Sequence, residues 1–196
     1  MEEFDVELFE ESVAEIKTDW TLSKVPYLTH LGFPEGIMMV GPLSRSFLKN
    51  GFLADPEVQA FPLSRQLSDR NSLSLESLDI CRVLEIFWAA KRILDLIDRV
   101  DLQDIGDKPN FNVNGRGFGV LEAPRGLLVH SYLIKQGVLE KLRLLVATQF
   151  NNAYINLLIK DLSQKYLEGD AISPEGERLI GRCVRLLDPC LSCATH

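Results

Sequence analysis

Between Leu75 and Val100 the chain carries an apolar pattern that few folds can accommodate. Ile80, Val83, Leu84, Phe87, Ala90, Ile93, Leu94 and Ile97 recur at helical spacing, and Ile86, Trp88 and Ala89 widen the face they form. The polar remainder, Arg82, Glu85, Arg92, Asp95 and Arg99, is a narrow stripe. A helix that is apolar around most of its girth has to be covered around most of its girth. The stretch therefore predicts a mostly buried helix, within a helical bundle or at an interface with another chain, rather than a helix on the surface of a small domain.

A chain of 196 residues, 46% of them hydrophobic, is long enough to bury such a helix as one domain or as part of a larger one. The formal charge of -7, from 28 acidic and 21 basic residues, disfavours a nucleic-acid surface, because phosphate binding needs a basic face. A protein or a small molecule is the expected partner. The opening, MEEFDVELFEESVAEIK, has acids where an export signal has bases and an apolar core, and no apolar run reaches the length of a membrane span. The expected location is the cytoplasm, where thiols stay reduced. Cys81, Cys183, Cys190 and Cys193 thus read as metal or core residues before disulfides.

Elsewhere, Val6, Phe9, Val13 and Ile16 predict a helix over 5–17, and the Pro- and Gly-dense KVPYLTHLGFPEGIMMVGPLSR predicts an extended loop with a helix beginning near Pro42. LKNGFLADPEVQAFPLSRQLSD reads as a further loop-rich connection. Strands are expected near 117–123, 127–134 and 138–146, the last two joined by the KQG turn. The GRGFG run lacks the following helix and the Lys-Ser/Thr pair of a phosphate loop, which excludes that motif. Ile155, Leu158, Ile159, Leu162 and Tyr166 predict a helix capped by Asn151 or Asn152. Ser173 and Pro174 open the last helix, and Pro189 ends it by forcing Asp188 out of the helical region. The expected class is α+β, mainly α: a helical bundle with a small antiparallel sheet near 117–147.

Beyond that last helix, Cys190 and Cys193 stand three apart on what reads as a short irregular tail, with His196 three residues on. The types and spacing suit a soft metal, which takes about four ligands, more than this stretch offers. On the residues alone, a zinc site completed by His30, His130 or Cys81 and a simple packing pair both stay open. A thioredoxin-type redox pair fits less well, since that motif opens a helix after a strand. Cys81 and Cys183 lie on apolar helix faces and read as core filler, and His130 as a structural strand histidine. Arg125 is either an exposed arginine at a hairpin edge or a guanidinium aimed by the constrained backbone of Pro124 and Gly126. Thr148, with Gln149, Asn151 and Asn152, reads by default as capping.

Three stretches in order, EAPRG, VATQFNNAYIN and DPCLSCATH, resemble the large subunits of nickel-iron hydrogenases, and VPYLTHLGFPEGIMMVGPLSR is similar to their cytoplasmic, cofactor-reducing, NAD-linked branch. The resemblance covers most of the chain. It implies that Cys190 is a terminal thiolate on nickel and the first proton acceptor, and that Cys193 bridges nickel and iron. It places the guanidinium of Arg125 over the open side of the metals as a catalytic group. It gives Thr148 a hydroxyl that donates to a cyanide on the iron, with Pro124 and Asp188 also beside the cofactor. His196 matches a histidine that binds a nearby magnesium or iron ion and marks where a precursor tail is cut, so the chain reads as a mature form or one encoded without that tail. Soft thiolates suit low-valent nickel and iron, and a coordinated sulfur can take up a proton.

The implied cofactor is a nickel-iron centre with cyanide and carbon monoxide on the iron; iron-sulfur clusters and flavin are implied only in partner subunits. The family's earlier Arg-x-Cys-Gly-x-Cys motif and its proton-relay glutamate are absent, and Cys81 and Cys183 lack the spacing to replace that pair. Residues 1–196 then form a single incomplete domain, the carboxy-terminal portion of a split large subunit. The implied partners are a chain with the missing cysteine pair, a flavoprotein diaphorase module and an iron-sulfur small subunit. The implied activity is reversible heterolytic cleavage of dihydrogen, with electrons passed to a soluble acceptor, NAD(P). The alternatives are a non-catalytic hydrogenase-like scaffold of an electron-transfer complex and a zinc-binding interaction protein.

Overall fold

The computed structural model describes residues 8–67, 74–100 and 114–195. A single helical turn, α1 (Phe9–Ser12), runs directly into an antiparallel hairpin of β1 (Val13–Thr18) and β2 (Thr21–Leu28), with Val13 opposite Leu28. This corrects two expectations, the helix over 5–17, of which 5–7 lie outside the described residues, and the loop from Lys24. Val13, Val25 and Leu28 are all buried, and the β-branched Val13, Ile16 and Val25 suit a paired strand. Strand pairing over a core overrode a helical spacing carried by only four residues.

The turn α2 (Pro42–Arg45) opens at Pro42 as expected. The loop-rich connection contains 3-10 turns at Phe52–Ala54 and Pro62–Leu67 on either side of α3 (Pro56–Ala60). Asp55 caps α3, accepting the Glu57 N–H at 2.9 Å. Phe52, Val58 and Leu67 from this connection pack with Cys81 and Leu84 of α4 (Leu75–Ile97) to form one core. The expectation of a mostly buried α4 holds for that side alone: Val83, Ile86, Ile93, Leu94, Leu96 and Ile97 are exposed. The described residues supply one wall for a helix that has apolar side chains for two.

The three-stranded antiparallel sheet appears where the sequence places it, as β3 (Gly115–Ala123), β4 (Gly126–Lys135) and β5 (Val138–Leu145), with β4 central. Gln136 and Gly137, both at positive φ, make the β4–β5 turn. α5 (Ala147–Lys165) starts before the expected Asn caps. Gln149 accepts the Val146 N–H at 2.8 Å at its start, which leaves Asn151 and Asn152 for tertiary bonds. After the short hairpin of β6 (Leu167–Glu168) and β7 (Ala171–Ile172), α6 (Pro174–Leu187) begins at Ser173, whose hydroxyl accepts from Gly176. It ends at Asp188 in the left-handed region, φ 46° and ψ 57°. A second core of Phe9, Val13, Leu28, Val129, Leu145 and Phe150 joins the hairpin, the sheet and α5. The class is mixed, mainly helical, with small antiparallel sheets, as the sequence indicates. No helix among the described residues is long and apolar enough to cross a membrane.

Candidate metal centre

The segment after Pro189 is not an irregular tail: Leu191–Ala194 forms one helical turn, α7, with Cys190 at its amino end. The N–H groups of Cys193 and Ala194 both donate to the Cys190 carbonyl, at 3.1 and 3.2 Å. A helical turn puts residues three apart on one side, so the two sulfurs converge. They are joined as a disulfide, with Cα atoms 5.3 Å apart. The expectation of core thiols holds for Cys81 and Cys183, which are buried and free, whereas Cys190 and Cys193 are bonded to each other. The convergence that lets the sulfurs bond to each other is also what two ligands of one metal require.

Thr148, buried at 3% exposure in the first turn of α5, accepts the Cys190 N–H at 2.9 Å. Its default reading as a helix cap is therefore replaced by a tertiary bond that fixes the backbone of the first cysteine. Next to this, Arg125 lies in the tight β3–β4 turn. Its Nε donates to the Asp188 carbonyl at 2.7 Å and pairs with the Asp188 carboxylate at 2.8 Å. The left-handed turn at Asp188 aims both acceptors at one donor. Pro124 and Arg125 border the same cleft as Asp188. Cys190, Cys193, Arg125, Thr148, Pro124 and Asp188 thus gather at one end of α6, although they span three separate stretches of sequence. His196 lies outside the described residues.

Sequence reasoning missed the groups that hold the Arg125 turn. Arg45 reaches across from α2, with its Nη atoms donating to the carbonyls of Ala123 at 3.1 Å and Pro124 at 3.2 Å, while Glu85 of α4 and Glu122 accept from the same guanidinium. Burial opposes the charge on Arg45, but bonds to Glu85 and Glu122 offset it and raise its pKa above the usual arginine value. Asn151 completes the clamp by accepting the Val40 N–H at 2.9 Å and donating to the Arg125 carbonyl at 3.3 Å. Gly126 is needed there: its φ is +132°, and a Cβ would sit 2.4 Å from a methyl of Val40. The sequence signals were Arg45 just after a helix-opening proline and an Asn run inside a helix.

A cleft of 560 Å³ opens beside Arg125 and Asp188, walled by Pro42, Phe52, Ile86 and Trp88. Neither terminal cysteine lines it. Among the described residues no group of three His, Cys, Asp or Glu side chains could hold a metal ion. His130 is occupied with the Tyr132 hydroxyl at 2.6 Å, and Cys81 is in the α4 core, so the zinc site completed by either is not formed. The donor types fit a soft metal: two sulfurs converge a few residues beyond the Asp188 that holds Arg125, and two sulfurs are fewer than the roughly four ligands such a metal takes.

A family model described as nickel-dependent hydrogenase matches residues 15–196. The chain is 34% identical to the beta chain of the NAD-reducing hydrogenase HoxS of Cupriavidus necator, over 99% of its own length and 41% of that relative's. It is 30% identical to a chain of the F420-non-reducing hydrogenase of Methanothermobacter marburgensis, over 99% of this chain and 42% of that one. Among solved structures, an NAD+-reducing [NiFe]-hydrogenase in the H2-reduced state superposes with a TM-score of 0.85 at 30% identity, covering 100% of this chain and 44% of that chain. A [NiFeSe] hydrogenase from Desulfovibrio vulgaris Hildenborough shares the fold, with a TM-score of 0.70 at 19% identity over 98% of this chain and 46% of that one. The chain spans less than half the length of these relatives.

Proposed function

Because the chain belongs to the nickel-dependent hydrogenase family, we propose that it is the ligand-bearing carboxy-terminal portion of a nickel-iron hydrogenase large subunit, functional only together with a second thiol pair from the rest of that subunit. The observation that carries this reading is the convergence of Cys190, Cys193, Arg125 and Thr148, with Arg125 and Cys190 65 residues apart in the sequence. The proposed reaction is heterolytic cleavage of dihydrogen. Its electrons pass through an iron-sulfur subunit, then a flavoprotein, to a soluble acceptor of the nicotinamide class. The proposed location is the cytoplasm.

When bound, a nickel-iron centre with cyanide and carbon monoxide on its iron supplies the low-valent metals at which dihydrogen is polarised. This chain's contribution begins with two sulfurs. To bind a metal, the Cys190–Cys193 disulfide takes two electrons from an external dithiol: the S–S bond breaks, both sulfurs become thiolates, and the reductant closes its own disulfide. Cys190 then serves as the first proton acceptor, its sulfur being a soft base fixed through the Thr148 contact to its own N–H. That contact uses a lone pair of the Thr148 oxygen, so the hydroxyl still has a proton to donate to an anionic ligand such as cyanide. With Nε of Arg125 held by Asp188, the remaining donors of the guanidinium sit on its two Nη atoms, and a fixed cation stabilises charge as it develops. His196 is assigned to a neighbouring magnesium or iron ion.

Metal analysis of the intact complex, with identification of every co-purifying chain, tests the proposal. Nickel and iron are expected, together with a second thiol pair from the rest of the large subunit. Cys190→Ala or Cys193→Ala is expected to abolish hydrogen oxidation. An active complex without nickel overturns the reading.

A further inference from the structure

The first turns of α5 touch the site at two points. Thr148 accepts the Cys190 N–H at 2.9 Å, and three residues further on Asn151 donates to the Arg125 carbonyl at 3.3 Å. Residues three apart share a side of a helix, about 4.5 Å from each other along its axis. Both are buried, at 3% and 4% exposure. The Arg125 Nε in turn reaches Asp188, two residues before Cys190 in the chain. The contacts close a ring: from α5 to the backbone of Cys190, back through Pro189 and Asp188 to the guanidinium of Arg125, and from the Arg125 carbonyl to α5 again.

Asn151 serves neither helix formation nor capping. It is the fifth residue of α5, past the capping positions, where asparagine is a poorer helix former than alanine. Its amide does what an alanine cannot: Oδ1 accepts the Val40 N–H at 2.9 Å while Nδ2 donates to Arg125. A backbone donor and a backbone acceptor at the two ends of one amide fix its orientation. The bridged segments are in close contact, since a Cβ at Gly41 would lie 2.9 Å from the Arg125 carbonyl oxygen. Asn152, the next residue, turns to the β1–β2 hairpin instead, donating to Thr21 at 2.8 Å and to Ser23 at 3.1 Å. Of the two asparagines, only Asn151 is bonded to Arg125.

We propose that Asn151 is a positioning residue for the cleavage of dihydrogen. By tying the Arg125 backbone to the helix that also holds Cys190, it sets where the guanidinium stands relative to the Cys190 sulfur. The inference rests on the hydrogenase reading and adds to it a residue that acts through Arg125. Without the Asn151 bond the β3–β4 turn keeps its ties to Arg45 but loses its tie to α5. A displacement of about 1 Å in a group at a reacting centre is enough for a rate loss of about 100-fold.

Asn151→Ala and Asn152→Ala, each in the intact complex, test it, because each removes two hydrogen bonds from adjacent positions of one helix. Both are expected to bind nickel as the unsubstituted complex does. Asn151→Ala alone is expected to lose at least about tenfold in kcat, with KM for dihydrogen within about twofold. Deuterium exchange should speed up about tenfold at the Val40 amide of Asn151→Ala and stay unchanged at the Cys190 amide, which Thr148 still holds. In an Arg125→Lys background, Asn151→Ala should cost less than about twofold more, since the guanidinium it places is gone. Equal rate losses from the two asparagine variants, or an undiminished loss in the Arg125→Lys background, make Asn151 purely structural and overturn the proposal. If Asn151→Ala does not assemble, Asn151→Asp, assayed with its carboxyl ionised, keeps the acceptor for Val40 and lacks the donor for Arg125. A fall of about tenfold there supports the proposal and a full rate overturns it. An unsubstituted complex without nickel removes the hydrogenase reading and this proposal with it; a nickel-loaded, active complex in which Asn151→Ala keeps its rate removes the proposal alone.

Discussion

Arg125 is held from both ends: its carbonyl receives the Asn151 amide, and its Nε is fixed by the carbonyl and carboxylate of Asp188. A lysine there keeps the charge but loses the planar fork and the Nε donor. For Arg125→Lys the complex should assemble with its metals while hydrogen oxidation falls about 100-fold, the usual scale for removing one aligned donor. Rates near those of the unsubstituted complex would assign Arg125 a purely structural part. Cys81 makes a different residue-scale prediction. Burial, with a smaller contribution from the Glu85 charge, pushes its thiol from 9.0 up to about 11. A folded pKa above the unfolded one means that the stability due to the neutral thiol is complete below pH 9 and lost as pH rises through about 11. Denaturant unfolding at those two pH values should show the unsubstituted chain losing about 2 kcal/mol more than Cys81→Ala. Equal losses would show that this thiol does not titrate on unfolding.

The β3–β4 turn is the element on which the site depends, and Arg45 is the brace across it. Its side chain, 12% exposed, ties α2 to Glu85 of α4, to Glu122 of β3 and to two carbonyls of the turn. Arg45→Met leaves Glu85 half-buried without its partner, at a cost of about 2 kcal/mol, less than for a fully buried pair because Glu122 is largely in water. Chemical denaturation measures that cost, and a loss within error would mean that the brace is not needed. Elements set by local rules were legible in the sequence. The Ser173–Pro174 start of α6, its end before Pro189 and the strands of the sheet required only neighbours along the chain. The start of α5 did not follow, because Asn151 and Asn152, good caps locally, are used instead for bonds to Val40, Arg125, Thr21 and Ser23. The β1–β2 hairpin departs from its local spacing for a related reason: its pairing reaches across the turn at Asp19 and Trp20, and burial of Val13 and Val25 decides it.

At the scale of the molecule, two cores face inward while α4 presents Ile86, Ile93, Leu94 and Ile97 outward. Contiguous apolar exposure on this scale marks an interaction surface. Purified alone, residues 1–196 should self-associate at micromolar concentrations, and they should sediment as one defined species when co-expressed with the remainder of a hydrogenase large subunit. Sedimentation velocity distinguishes these cases; a monodisperse, concentration-independent monomer would show that the face needs no cover. The sequence by itself determined α4, α6 and the three-stranded sheet, which two cysteines fill cores, and the family through three short motifs, because propensity, periodicity and residue identity are carried by neighbouring residues. Only the tertiary structure decided that Thr148 holds Cys190, that Asp188 holds Arg125, that Arg45 braces the turn, and which half of α4 stays bare. Those are contacts between residues tens of positions apart, and no local pattern encodes how far a folded chain brings such groups together.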